Sequence, residues 1–149
     1  GKVYSIEPTG NQFPILKKNI EKNGYNNRVE TLNYAAWDES GKEVKIQTNK
    51  GDVGIMTGMK VDDIIPAGKK VDFVKIDTDG SEPHVLKGLI GTIEKNPQLQ
   101  MVIEFYPKYI EDLGGDPKEV LAILDKYFTY EAIEGDYGGS YWNYYCKRK

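Results

Sequence analysis

The sequence predicts an α/β domain with a mostly parallel sheet, flanking helices and a C-terminal antiparallel hairpin. Three observations carry that expectation. Apolar runs of strand length alternate with segments of helical period, the pattern that lays parallel strands side by side with crossover helices between them. Two of those runs, Val3-Tyr4-Ser5-Ile6 and Val71 to Ile76, end abruptly in carboxylates where a helix begins, at Glu7-Pro8 and at Asp77-Thr78-Asp79-Gly80-Ser81-Glu82. Residues 129–133 and 141–147 form two strand-like runs joined across Gly135, Gly138 and Gly139, as in a closing hairpin. Open α/β sheets place their ligands at the carboxyl edge, so two acidic strand ends imply one shared crevice.

Each element follows from local signals. After the first strand, Phe13, Leu16 and Ile20 fall on one helical face before Asn23-Gly24 supplies a stop. Arg28 to Ala36 reads as the next strand, and Asp38-Glu39-Ser40-Gly41 as a turn into a short alternating strand around Val44 and Ile46, which predicts a hairpin. Asn49 to Lys60, interrupted by Gly51, Gly54 and Gly58, reads as a loop, and Val61 to Ile65 as a single helical turn ended by Pro66. Val71 to Ile76 is apolar enough for a buried central strand. The helix after it starts near Ser81, carries Pro83 in its first turn and packs through Val85, Leu86, Leu89 and Ile93 before Pro97. Leu99 to Phe105 is another buried strand, closed by Tyr106-Pro107. Asp116-Pro117-Lys118-Glu119 has the order of a helix cap, a first-turn proline and an acidic third position, with Val120, Leu121 and Leu124 inward.

Composition bounds the function. With 149 residues, one domain with an ordinary core is expected, and no internal repeat or linker divides it. A net charge of −3 gives no electrostatic reason to expect nucleic acid or an anionic membrane as partner. The single cysteine, Cys146, excludes an internal disulfide framework and a multi-cysteine zinc site, and makes a reducing, cytoplasmic setting the expectation. No apolar run approaches the ~20 residues of a membrane span.

Ile6-Glu7-Pro8, Leu16-Lys17-Lys18-Asn19-Ile20 with Asn23-Gly24, Ala35-Ala36, Val61-Asp62-Asp63, the block Lys75-Ile76-Asp77-x-Asp79-Gly80-x-Glu82-x-x-Val85-Leu86-Lys87-Gly88, and Ile103-Glu104 follow one another in a recognisable order. In that order and spacing, over about residues 2–105, they resemble the FkbM-type methyltransferases, S-adenosylmethionine-dependent enzymes of the Rossmann-like class. The Asp-x-Asp-Gly-x-Glu block is the most specific part. Many relatives carry glutamate where this chain has Asp79, a change that keeps the charge. The family's first motif, a strand and a glycine-rich loop around the methionine part of the cofactor, has no counterpart here. Gly51/Gly54 and Gly88/Gly91 do not stand between a strand and a helix start. The resemblance thus implies one methyltransferase-like domain over residues 1–149, missing the first strand and glycine loop. The strands ending at Glu7 and Asp77 would then either pair directly or leave a gap of about one strand spacing, ~4.8 Å.

The resemblance also implies site roles. S-adenosylmethionine is the expected cofactor, with Glu7 on its ribose, Ala35, Ala36 and Trp37 where the family places the adenine, and Asp77 near the sulfonium. Asp77, Asp79 and Glu104 are the expected catalytic residues, toward a small-molecule or glycan hydroxyl. Chemically, a carboxylate at a strand end can accept hydrogen bonds from both ribose hydroxyls, and methyl transfer from a cationic sulfur needs alignment, negative charge and at times a base. Blander readings stand beside these. Glu7 could be a solvated strand end, Trp37 could be core, and Glu82 could simply favour the helix dipole. Asp77, Asp79, Glu82 and Glu104 could hold a divalent cation, although nothing in the spacing demands one and no metal is expected. His84 is read as a surface or cap residue rather than a base. Tyr137, Tyr141, Trp142, Tyr144 and Tyr145 have strand spacing, more in keeping with half core and half surface than with an acceptor pocket. The competing function is a noncatalytic α/β domain that binds a ligand or partner.

Overall fold

The computed structural model describes residues 1–47, 53–135 and 140–149. Strand β1 (Val3–Ile6) lies parallel to β2 (Val29–Leu32), in register from Val3 opposite Val29 to Ile6 opposite Leu32. Helix α1 (Phe13–Lys22) makes the crossover and turns Ile20 inward. The single strand expected over Arg28 to Ala36 is two. After Leu32 the chain leaves β1, and β3 (Ala35–Trp37) pairs instead with β5 (Val53–Lys60). Asn33, at the break, donates from Nδ2 to the carbonyl oxygens of Glu7 and Pro8 at 2.9 and 3.0 Å, tying the β1 end to the changeover.

The region read as a loop needs correction. Residues 49–52 lie outside the described part, but 53–60 form strand β5, parallel to β3 and antiparallel to β4 (Glu43–Gln47), in the order β3-β5-β4. The hairpin therefore joins β4 to β5 rather than to the strand before it. Gly58, one of the residues that masked the strand, is where backbones come close: a Cβ there would stand 3.1 Å from the Glu39 carbonyl oxygen.

Helix α2 (Val61–Ile64) is the expected single turn. Beyond it, β6 (Phe73–Ile76) runs parallel to β7 (Gln100–Phe105), and β7 is antiparallel to β9 (Trp142–Arg148), which pairs with β8 (Phe128–Gly135). The order is β6-β7-β9-β8, so the sheets are mixed and the C-terminal hairpin forms as expected. Gly138 and Gly139 of its turn lie outside the described residues. Val71 to Ile76 is not a buried central strand. Among the described residues it borders this sheet with a ladder on one side, leaving Phe73 and Lys75 exposed while Ile76 is buried. Among the described residues no ladder joins β1 to β6, so direct pairing of those two strands is not adopted.

The helix expected from Ser81 is divided into α3 (Glu82–Lys87) and α4 (Ile90–Lys95). Asp62, from α2, accepts from the Gly91 and Thr92 amides and fixes the start of α4. Helix α5 (Pro107–Asp112) was not foreseen, whereas α6 (Pro117–Tyr127) starts as expected, with Asp116 Oδ1 accepting from the Lys118 amide at 2.9 Å. The core forms where α3, α4, α5 and α6 cover β6, β7 and β9, with Leu86, Ile93, Leu99, Met101, Ile103, Ile110, Val120, Leu124 and Cys146 at 0% exposure. This half carries the acidic block, and the strand ends of β1 and β3 meet it.

Candidate active site

The carboxyl ends of β1, β3 and β6 meet at a cavity of about 250 Å³. Glu7, Ala35, Ala36, Trp37, Asp77 and Asp79 all line it. Glu7 leaves β1 with its carboxylate already oriented, since Oε1 accepts from the Thr9 amide at 2.7 Å and from Thr9 Oγ1 at 2.6 Å. Ala35 and Ala36 give the wall at β3 little side-chain bulk. Trp37 lines the cavity and also packs behind it. Its ring stacks on His84 with centroids 3.9 Å apart and planes 11° from parallel. His84 Nδ1 lies 2.7 Å from Asp38 Oδ2.

The loop after β6 is held in a costly conformation. Asp79 has φ +49° and Gly80 φ +102°, and a Cβ at Gly80 would come within 2.7 Å of the Tyr109 carbonyl oxygen. An L side chain at 80 is thus opposed by both backbone angle and space. Glu82 explains how the loop stays there. It is 1% exposed, and its Oε1 accepts from the Thr78 amide at 3.0 Å, Thr78 Oγ1 at 2.9 Å and the Gly80 amide at 3.2 Å. Burial pushes its pKa up and these hydrogen bonds oppose the shift. Glu82 is therefore a buried clamp on the loop. The reading as a simple dipole-favoured cap missed this, and the hydroxyl residue four positions earlier, Thr78, was the available signal.

Glu104 ends β7 beside this loop. It is not part of the cavity lining, but carboxylate oxygens of Asp77, Asp79 and Glu104 lie within 4.8 Å of one another. Burial, followed by the charge and hydrogen bond of Asp77 and the charges of Asp79 and Glu82, raises the Glu104 pKa to about 7. Asp79 is shifted upward too, by burial first and then by Asp77 and Glu7. The Glu7 charge, from a separate strand end, thus reaches Asp79 across the cavity. Lys75 Nζ approaches Asp77 Oδ2 at 2.9 Å, but both side chains are half exposed, so the pair leaves most of the negative charge uncompensated. A site with this surplus suits a cationic ligand. Among the described residues the carboxylates that come together are Asp77, Asp79 and Glu104, and Glu82 is not one of them.

Of the aromatic residues at the C-terminus, Trp142 and Tyr144 pack against the core through Phe105, and Tyr145 donates to Gln100 Oε1 at 2.7 Å. Tyr137 lies outside the described residues. Tyr106 was not singled out, yet it stacks on Tyr109 with centroids 4.0 Å apart, two residues beyond Glu104.

A cavity at the carboxyl strand ends, bordered by Glu7, Asp77 and Asp79, lies where an α/β domain takes its ligand. The sequence matches the methyltransferase FkbM domain over residues 1–132, and the chain belongs to that family. The fold is similar to the crystal structure of the methyltransferase FkbM from Methylobacillus flagellatus KT, with a TM-score of 0.64 and 20% identity, over 97% of this chain and 36% of that one. It is also similar to a putative rRNA-methylase from Clostridium thermocellum, with a TM-score of 0.62 and 12% identity, over 100% of this chain and 76% of that one. The chain thus spans 36% of the length of the FkbM structure it matches. Among curated proteins, none matches its sequence.

Proposed function

We propose that this chain is the methyltransferase domain of an S-adenosylmethionine-dependent enzyme that methylates a hydroxyl of a small molecule or glycan. The observation that carries the reading is the convergence of Glu7, Trp37, Asp77 and Asp79 on one cavity, with Glu104 beside it. The residues suit the cofactor: an oriented carboxylate for a ribose, a wall of small residues for a flat ring, and surplus negative charge for a sulfonium. When bound, S-adenosylmethionine supplies the electrophilic methyl group. Glu7 would accept from the ribose hydroxyls, and Ala35, Ala36 and Trp37 would border the adenine. Asp77 and Asp79 would hold the cationic end by charge. Glu104, with a pKa of about 7, is suited to take the proton of an acceptor hydroxyl near neutral pH. No described helix is long and apolar enough to cross a membrane, and we assign the activity to the cytoplasm.

Calorimetry with S-adenosylhomocysteine on the full-length protein tests this. Micromolar binding that is weakened in Glu7→Ala supports the reading. No binding by the folded, unmodified protein overturns it in favour of a noncatalytic domain.

A further inference from the structure

We infer that His84 is a positioning residue for the cofactor half of the site, fixing Trp37 as a rigid wall of the cavity by gripping it from behind. The inference rests on the S-adenosylmethionine reading above and names a residue which that reading does not use. His84 is the only histidine of the chain, and two successive residues at the end of β3 hold its ring. The Trp37 indole covers its face at 3.9 Å, and Asp38 Oδ2 meets its Nδ1 at 2.7 Å. The stack fixes the tilt of the imidazole and the contact at Nδ1 fixes its rotation in the plane. The two rings therefore locate one another.

The backbone reinforces this grip. His84 and Gly88 are four residues apart on α3 and its C-cap, so they face the same way. At Gly88 a Cβ would stand 1.9 Å from the Trp37 carbonyl oxygen, so only glycine lets the helix come this near. The Asp62 amide in turn donates to the Gly88 carbonyl at 2.9 Å. Helix α3 thus meets Trp37 with a ring at one turn and bare backbone at the next. At its other end the same helix carries Glu82, which clamps the loop bearing Asp79. One short helix holds both walls of the cavity. A tryptophan immobilised before the ligand arrives loses no rotamer freedom on binding, so the expected effect falls on affinity and not on the chemical step.

The test uses steady-state kinetics and calorimetry on the full-length protein with His84→Ala and His84→Phe. Removing the ring in His84→Ala is expected to raise KM for S-adenosylmethionine and Kd for S-adenosylhomocysteine about three- to tenfold, the worth of one stacked aromatic pair, with kcat within about twofold of the unmodified protein. Restoring a ring in His84→Phe is expected to recover part of that loss, which a variant perturbing only the fold would not do. Should the alanine variant fail to fold, the comparison of His84→Phe with His84→Gln carries the same contrast of ring against no ring. Unchanged KM and Kd in the ring-free variant overturn the inference, as does a fall in kcat at constant KM. Failure of the unmodified protein to bind S-adenosylhomocysteine overturns the cofactor reading and this inference together, whereas normal binding that ignores His84 overturns this inference alone.

Discussion

Asp77 and Glu104 follow the register pair Ile76 and Ile103 on neighbouring parallel strands, and their carboxyl oxygens lie within 4.8 Å of each other. Burial and the surrounding negative charge hold the Glu104 proton up to about pH 7. The folded protein binds it more tightly than the unfolded chain does. The contribution of Glu104 to stability is therefore fully present below the ordinary value of 4.5 and is lost as the pH rises through about 7. Glu104→Gln, which removes the titrating group, is expected to raise the melting temperature by roughly 1–3 °C at pH 8 relative to the unmodified protein, with little difference at pH 4. An equal shift at both pH values would show that Glu104 does not titrate in this way.

The same group sets the expected activity profile. A base with a pKa of about 7 is largely protonated below that value, so turnover should climb through pH 6–8 and level off above it. Glu104→Gln should lose roughly 100-fold or more in kcat and flatten the profile. A pH dependence that survives the substitution would assign the proton to another group.

Asp77 and Gly80 separate chemistry from scaffolding. Asp77→Asn should lower turnover by roughly 100-fold while leaving the melting temperature nearly unchanged. Gly80→Val should do the reverse and unfold the junction, because a side chain at φ +102° would also collide with the Tyr109 backbone. Thermal melts and turnover measured side by side decide it, and full activity in Asp77→Asn would remove Asp77 from the machinery.

Glu82→Ala would leave the buried amides of Thr78 and Gly80 without their acceptor, at a cost on the order of 2–4 kcal/mol in chemical denaturation. Glu82→Gln keeps an acceptor oxygen and should cost clearly less. If the two variants are equally stable, the clamp contributes nothing.

Glu7→Ala should weaken S-adenosylmethionine binding by on the order of 1.5–3 kcal/mol, the worth of hydrogen bonds to a charged acceptor. Unchanged affinity in a folded variant would take Glu7 out of the site.

What the sequence disclosed depended on whether a residue's role was local. The Asp116 cap, the α6 face through Val120 and Leu124, and strand β7 could be read because cap chemistry and apolar period lie within one segment. Strand β5 was hidden because Gly54 and Gly58 interrupt its apolar run, and at Gly58 the glycine answers a close approach of the Glu39 backbone that only the fold reveals. The break after Leu32 was invisible for a related reason: β2 and β3 differ in their partners and not in their own residues. Likewise Phe73 looked like core, although among the described residues its strand has a neighbour on one side only. At the site, the acidic strand ends stood out as breaks in apolar runs. The role of His84 did not, because Trp37 and Asp38 lie more than forty residues away and only the fold brings them to it.

Cys146 lies at the centre of β9, opposite Met101 on β7 and Tyr130 on β8, at 0% exposure and with its thiol pKa pushed by burial up to about 12. The nucleophilic form of a thiol is the thiolate, so an alkylating reagent finds neither access nor a reactive partner while the sheet is closed. The chain thus carries its own stopwatch for the β7-β9-β8 unit. The rate at which this one sulfur is labelled reports how often those three strands part, without any reporter group having to be built in.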